Sequence, residues 1–382
     1  MLLELRVRNF RSISDEQVFS MLPGKGATHV HQTPSSFAPE ILKAGALYGP
    51  NGSGKSTVVQ ALDWLQSLVQ HSGTYNSDDV VPYDPHVLDK TTARSPTEVE
   101  IQFVAGEAIW RYRVTADAHT IVEETLYSRS FQTAREKKYF VRSSREIGAE
   151  INEYADILLN KTTTNQLFLS KLDQFSAEAI EPAYKWIVLT LRVIDSVSGF
   201  PKYITAEWCK SAEKRQAVVA FLRSVDTRVE DISVTTNVLK VGSPSLTQMF
   251  RGPAEPIFDF EKDGVKQYNL QFFHKNTANG LTGIGIEQES LGTKNLFALA
   301  GPLLQSLTHG FVLVIDELNQ SFHTELLRYI LDLFYSPEAN RNGAQIIFTS
   351  HDVSVMDVLE RDEIWLVEKN LTGATELTAL SD

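Results

Sequence analysis

Gly49-Pro50-Asn51-Gly52-Ser53-Gly54-Lys55-Ser56-Thr57 has the residue types and spacing of a loop that cradles phosphate. Gly52 and Gly54 allow backbone conformations that other residues resist, so successive amide hydrogens turn inward as an anion nest at the positive end of a helix. Gly49, Asn51 and Ser53 complete the loop. Lys55 is placed to meet the β- and γ-phosphates of a nucleoside triphosphate, Ser56 to coordinate Mg²⁺, and Thr57 to hydrogen-bond the α-phosphate. A chance glycine-rich turn is the alternative, and the strand and helix patterns on either side argue against it.

More residues suited to chemistry lie far downstream. Ser290 and Gly292 open an apolar helical face of Leu296, Phe297, Leu299, Ala300, Leu303, Leu304 and Leu307. A small hydroxyl residue and a glycine at a helix start make a cap, and the same place is an anion site. Phe311-Val312-Leu313-Val314-Ile315 then reads as a parallel strand buried on both faces and ending in Asp316-Glu317. Ligands gather at the carboxyl ends of such strands. Asp316 would hold Mg²⁺ through water, and Glu317 would polarise an attacking water as general base; taken alone, the same run also suits an ordinary core. Residues 344–350 form another apolar strand, which delivers His351 within reach of the γ-phosphate and that water. Capping or packing is the alternative role for a histidine at a strand end.

These groups need elements to position them. Leu3, Leu5 and Val7 alternate with period two, and Val18-Phe19-Ser20-Met21 is the hairpin partner. Residues 23–39 read as a loop, and residues 41–48 as the apolar strand that feeds the phosphate loop. Val58, Val59, Ala61, Leu62, Leu65, Leu68 and Val69 recur at helical spacing after it. Val99, Ile101, Phe103, Ile109, Tyr112 and Val114 form a meander turning at Gly106, continued by residues 121–131. Residues 146–229 carry helical spacing, including Tyr184, Ile187, Val188 and Leu191, without sustained heptads. Residues 231–241 and 257–273 return to alternation, with a hairpin turn at Lys262-Asp263-Gly264. The chain therefore divides into residues 1–145, 146–230 and 231–382: phosphate loop with a β lobe, helical insertion, and the second set of chemical residues.

Composition sets the outer bounds. The chain has 382 residues, 42% hydrophobic and 22% charged, with a net charge of −12. That acidity argues against coating nucleic acid with the whole surface, although a strip of Arg135, Lys137, Lys138, Arg142 and Arg145 leaves a local contact open. No apolar stretch approaches the roughly 20 residues of a membrane span, and the N-terminus is charged too early for a secretory signal, so a cytoplasmic protein is expected. Cys209 is the only cysteine, which excludes an intrachain disulfide and suits a buried thiol.

The order of Asn9-Phe10-Arg11-Ser12, phosphate loop, long insertion, Ser290-Leu291-Gly292, Asp316-Glu317 and His351 resembles the ABC-type ATPases of the SMC, Rad50, RecF and OLD group. It looks closer still to stand-alone AAA-family ATP-binding proteins of the ATP/GTP phosphatase or abortive-infection type. The resemblance implies an α/β fold: an ABC-type P-loop ATPase head with an antiparallel β lobe and a helical insertion, using ATP and Mg²⁺. It makes Asp316 and Glu317 the Walker B pair and His351 the switch histidine. It also implies a homodimer with ATP at the interface, or a higher oligomer, in which Ser290 and Gly292 act in trans. The implied role is a regulatory ATPase of bacterial anti-phage defence controlling a separate effector, a nuclease or toxin. A DNA repair or chromosome-maintenance ATPase, and a nucleotide-binding scaffold with little hydrolysis, are the alternatives. Gln66 and Gln102 are candidates for the glutamine that links the phosphate loop to the second lobe, and residues 9–12 for the adenine contact. Such relatives follow the acid pair with an acidic or small residue and Ser-Leu-His, where this chain has Leu318-Asn319-Gln320-Ser321-Phe322-His323.

Overall fold

Where apolar residues run on without a polar partner, the chain builds strands covered on both faces. The computed structural model describes residues 1–32, 38–133, 135–143, 146–147, 151, 155–195, 201–225, 227–239, 257–261 and 264–381. In it Ala44–Tyr48, Val312–Ile315 and Gln345–Ser350 are buried at every position. They lie within a sheet ordered Leu191–Ile194, Val312–Ile315, Gln345–Ser350, Ala44–Tyr48, Ile364–Lys369, Thr375–Ala379. Neighbours are parallel except for the last pair. Ile315 lies opposite Phe348 and Ser350 opposite Tyr48, so the phosphate loop, the acid pair and the histidine all leave the same edge of the sheet.

Alternating segments make a second, wholly antiparallel sheet ordered Glu146–Ile147, Glu136–Val141, Ile121–Ser130, Ala108–Ala116, Thr97–Ala105, Leu2–Arg8, Gln17–Ser20. The hairpin read from the first residues is present, with Leu5 opposite Phe19. Gln345 stitches the two sheets: its Oε1 accepts from Leu2 N–H at 2.6 Å, and its Nε2 donates to the Leu2 and Leu42 carbonyls at 3.0 Å each. Helix Lys55–His71 buries Val58, Val59, Ala61, Leu62, Leu65, Leu68 and Val69, the face its spacing predicts.

The helical reading of residues 184–191 gives way before its end. Helix Glu181–Lys185 passes into a π turn, Trp186–Thr190, and Leu191–Ile194 becomes a strand beside Val312–Ile315. Val193 and Ile194 are β-branched, and an open sheet edge offers them backbone partners that a helix end does not. Gln66 Nε2 fixes the transition by donating to the Ile187 and Leu191 carbonyls at 2.7 Å each.

The chain forms two compact units, Met1–Asp195 with Leu307–Asn319 and Leu327–Asp382, and Ser196–Ser306 with Gln320–Leu326. In the second, Gly264–Lys275 pairs Val229–Leu239 along its length, Ile257–Glu261 over its first half and Leu281–Gly285 over its second. Glu261 pairs with Gly264 as the hairpin reading expects, while Lys262 and Asp263 lie outside the described residues. Helix Lys202–Trp208 approaches the middle of helix Leu291–His309 at Gly301, where a Cβ would fall 2.7 Å from Thr205 N. Phe272 meets Phe297 edge-on at 5.3 Å. Cys209 is buried, and burial pushes its thiol up to about 12, which suits an inert structural residue.

Glu124 explains how the helix Phe168–Gln174 begins without a capping side chain of its own. This fully buried carboxylate accepts from Phe168 N–H at 2.6 Å, Leu169 N–H at 2.9 Å and Tyr112 Oη at 2.9 Å, with Arg142 3.7 Å away. Truncation would strand these donors and a neighbouring cation away from water. Glu124→Ala is expected to cost about 3 kcal/mol in urea unfolding, and a loss below about 1 kcal/mol would contradict this account.

Candidate functional site

The phosphate loop leaves strand Ala44–Tyr48 and ends in helix Lys55–His71, with Gly52 at φ 79° and Gly54 at φ 109°. A Cβ at Gly54 would also fall 2.0 Å from Thr375 Oγ1, and one at Gly49 2.1 Å from the Val367 carbonyl. The loop path is thus fixed by neighbouring strands as well as by its own torsions. Thr375 Oγ1 lies 2.8 Å from both the Ser53 carbonyl and Ser12 Oγ, and Ser12 Oγ is 2.8 Å from Thr57 Oγ1. Residues 9–12 are therefore linked to the phosphate loop by side-chain hydroxyls.

The loop suits an anion. Lys55 is buried, and its ammonium donates to the Gly49 and Pro50 carbonyls of its own loop at 2.7 and 3.1 Å. Burial lowers its pKa, and the charges of Asp316 and Glu317 oppose that shift. Ser53 Oγ is buried and has no hydrogen-bond partner among the described residues. A bound phosphate would give Ser53 an acceptor and Lys55 an anion in place of neutral carbonyls. The backbone N–H groups of the loop together with Lys55, Ser56 and Asp316 are chemically fitted to hold ATP and Mg²⁺.

Asp316 and Glu317 end strand Val312–Ile315, with Asp316 N–H donating to the Ile194 carbonyl at 2.9 Å. Asp316 is buried. Thr349 Oγ1 donates to Asp316 Oδ1 at 2.5 Å and accepts from Glu317 N–H at 2.7 Å. Glu317 sits at φ 54°, a left-handed conformation that costs a residue with a Cβ about 1–2 kcal/mol. Two residues on, Asn319 Nδ2 lies 3.2 Å from both ring nitrogens of the exposed His351. Lys55, Asp316, Glu317 and His351 thus belong to one unit and leave neighbouring strand ends.

Ser290 and Gly292 belong to the second unit. Ser290 Oγ accepts from Thr293 N–H at 3.1 Å, which caps helix Leu291–His309. Glu289 before it contacts His274 Nε2 at 2.6 Å, tying the cap to strand Gly264–Lys275. Ser290, Leu291 and Gly292 are all exposed, and a Cβ on Gly292 would lie 3.7 Å from Ser290 Oγ, an ordinary contact.

A protein-family model described as "AAA domain, putative AbiEii toxin, Type IV TA system" matches residues 46–357. The chain belongs to this family. Its match runs from the phosphate-loop strand past the acid pair and His351, so this AAA domain includes the whole set of chemical residues and the insertion between them. The chain is also similar to the chromosome partition protein Smc of Mycoplasma genitalium, at 25% identity over 204 residues, 53% of this chain and 18% of that protein. Among solved structures, an SMC head bound to the C-winged helix domain of ScpA aligns with 99% of this chain and 96% of its own, at 14% identity and a TM-score of 0.48. The SMC head domain from Thermotoga maritima aligns over 99% and 98% at 12% identity and a TM-score of 0.44. The expected α/β P-loop head with an antiparallel lobe is the observed fold class of this AAA domain.

Other readings find different places in the structure. Gln66 is occupied with the π turn, and Gln102 Nε2 donates to Glu4 Oε1 at 3.3 Å on the antiparallel sheet. The basic strip is dispersed: Arg142 turns inward to the Gln166 and Thr163 carbonyls, Lys138 pairs with Glu146, and Lys137 lies 4.6 Å over the Tyr139 ring. Arg145 lies outside the described residues. Thr349, Asn319 and Thr375 are the site residues that sequence reading left without a role, while Ser12, expected near the adenine, hydrogen-bonds Thr57 and Thr375 instead. Thr349 stands two positions before His351, a signal available in the sequence; Thr375 has none. Among the described residues, no helix is long and apolar enough to cross a membrane.

Proposed function

We propose that this AAA domain binds ATP with Mg²⁺ and hydrolyses it. The supporting observation is the register of the parallel sheet, which brings the phosphate loop with its buried Lys55, the Asp316-Glu317 pair and His351 to neighbouring strand ends. When bound, ATP supplies the phosphoryl group and Mg²⁺ neutralises charge during its transfer to water. The loop amides and Lys55 bind the polyphosphate, while Ser56 and Asp316 hold the metal. Glu317 accepts the proton of the attacking water, and His351 orients that water beside the γ-phosphate. Phosphate release from ATP by the wild-type chain tests the reading; no release above background with folded protein would sink it.

The exposed Ser290-Leu291-Gly292 cap supports a dimer in which each protomer's cap completes its partner's phosphate loop. Among the described residues nothing crowds position 292, which suits a close approach by another surface. Gly292→Ala is therefore expected to leave thermal stability unchanged and to lower turnover by roughly tenfold, with ATP affinity of single protomers retained. Unchanged turnover at saturating protein concentration would count against the cap acting in trans.

The family description names an AbiEii toxin and a type IV TA system, which supports a role in anti-phage defence; in this reading the ATPase controls a separate effector chain and works in the cytoplasm. The similarity to a chromosome partition protein favours chromosome maintenance as the second reading. Strong stimulation of phosphate release by DNA alone favours the second reading; a toxic partner recovered with the protein favours the first.

A further inference from the structure

One buried hydroxyl touches both acidic residues at once. Thr349 is fully buried, and its Oγ1 donates to Asp316 Oδ1 while accepting from Glu317 N–H. The register explains the placement. Ile315 lies opposite Phe348 on parallel strands, so the next positions along each are Asp316 and Thr349. Glu317 adopts a left-handed backbone that other residues with a Cβ avoid, and such a conformation persists only where its surroundings over-determine it. The Thr349 hydroxyl supplies the acceptor that holds this peptide, and Asn319 closes on His351 from the same turn. The segment carrying Glu317 is thus tied twice to one strand end. A valine has the shape of threonine and the same strand preference, yet it would leave a buried carboxylate oxygen and an amide hydrogen without this partner.

We propose that Thr349 is a positioning residue for hydrolysis: its hydroxyl fixes the backbone, and so the direction, of Glu317, and orients the Asp316 carboxylate. The proposal rests on the ATPase reading above for its chemical consequence, while the clamp itself exists without nucleotide.

The test compares Thr349→Val with Thr349→Ser in two measurements. Amide hydrogen exchange at Glu317 in nucleotide-free protein reads the clamp; kcat and KM for ATP with Mg²⁺ read its effect. Thr349→Val is expected to speed exchange at least about tenfold and to lower kcat roughly 10- to 100-fold with KM within about threefold, because a small misplacement of a reacting group is costly. Thr349→Ser should restore both. Unchanged Glu317 protection in the valine variant, or equal kcat in the two variants, overturns the proposal. Should the valine variant fail to fold, Thr349→Ala against Thr349→Ser carries the same comparison. A wild-type protein that releases no phosphate removes the ATPase reading, and the exchange measurement still decides the clamp.

Discussion

Lys55→Ala is expected to abolish nucleotide binding while leaving the fold intact. The lysine is buried, and its ammonium contacts only backbone carbonyls of its own loop among the hydrogen bonds described, so little tertiary structure depends on it. Alanine is also the best helix former, and position 55 begins a helix. The loss falls on the ligand. A charge-assisted bond to phosphate in a partly desolvated site is worth about 3 kcal/mol, roughly a hundredfold or more in Kd. Titration with a fluorescent ATP analogue, alongside thermal unfolding, separates binding from folding. An affinity within about threefold of wild type would mean that Lys55 does not face the polyphosphate.

Glu317→Gln has the largest expected effect on chemistry. Glutamine matches glutamate in shape and retains the backbone N–H that donates to Thr349, so the left-handed turn and the clamp are preserved. It cannot accept a proton from water. Turnover is expected to fall about 10²- to 10⁴-fold with ATP affinity unchanged, the usual range for a missing general base. A variant that turns over within about threefold of wild type would assign the base elsewhere, and wild type no faster than this variant would leave a scaffold that binds ATP without hydrolysing it.

The parts of this site legible in the sequence are those whose constraint is local. Gly52, Gly54 and Lys55 follow one another because a nest and a helix start are made by consecutive residues. The run from Val312 to Asp316 is legible because a strand buried on both faces has no polar position to spare. Thr349 is concealed by its type: a threonine in a strand reads as a β-branched filler, its place two positions before His351 marks it as near the site, and the register with Asp316 shows its second use. Ser12, Thr57 and Thr375 meet through hydroxyls from distant parts of the chain, which no spacing rule anticipates. Leu191–Ile194 was read as helix because Tyr184, Ile187, Val188 and Leu191 keep helical spacing up to its first residue. The strand is decided by an open edge on Val312–Ile315, a tertiary fact. The charge run at 135–145 shows the converse, where a surface pattern conceals Arg142 as a partly buried anchor beside Glu124.

The central claim is that ATP joins two copies of this chain and that Glu317 ends that state by hydrolysis. Sedimentation velocity of the Glu317→Gln protein, with and without ATP and Mg²⁺, tests it most directly. The account predicts a monomer without nucleotide and a dimer with it, the dimer lost again when Gly292 is replaced by a bulky residue. Identical sedimentation in the two conditions, with ATP bound, would contradict it.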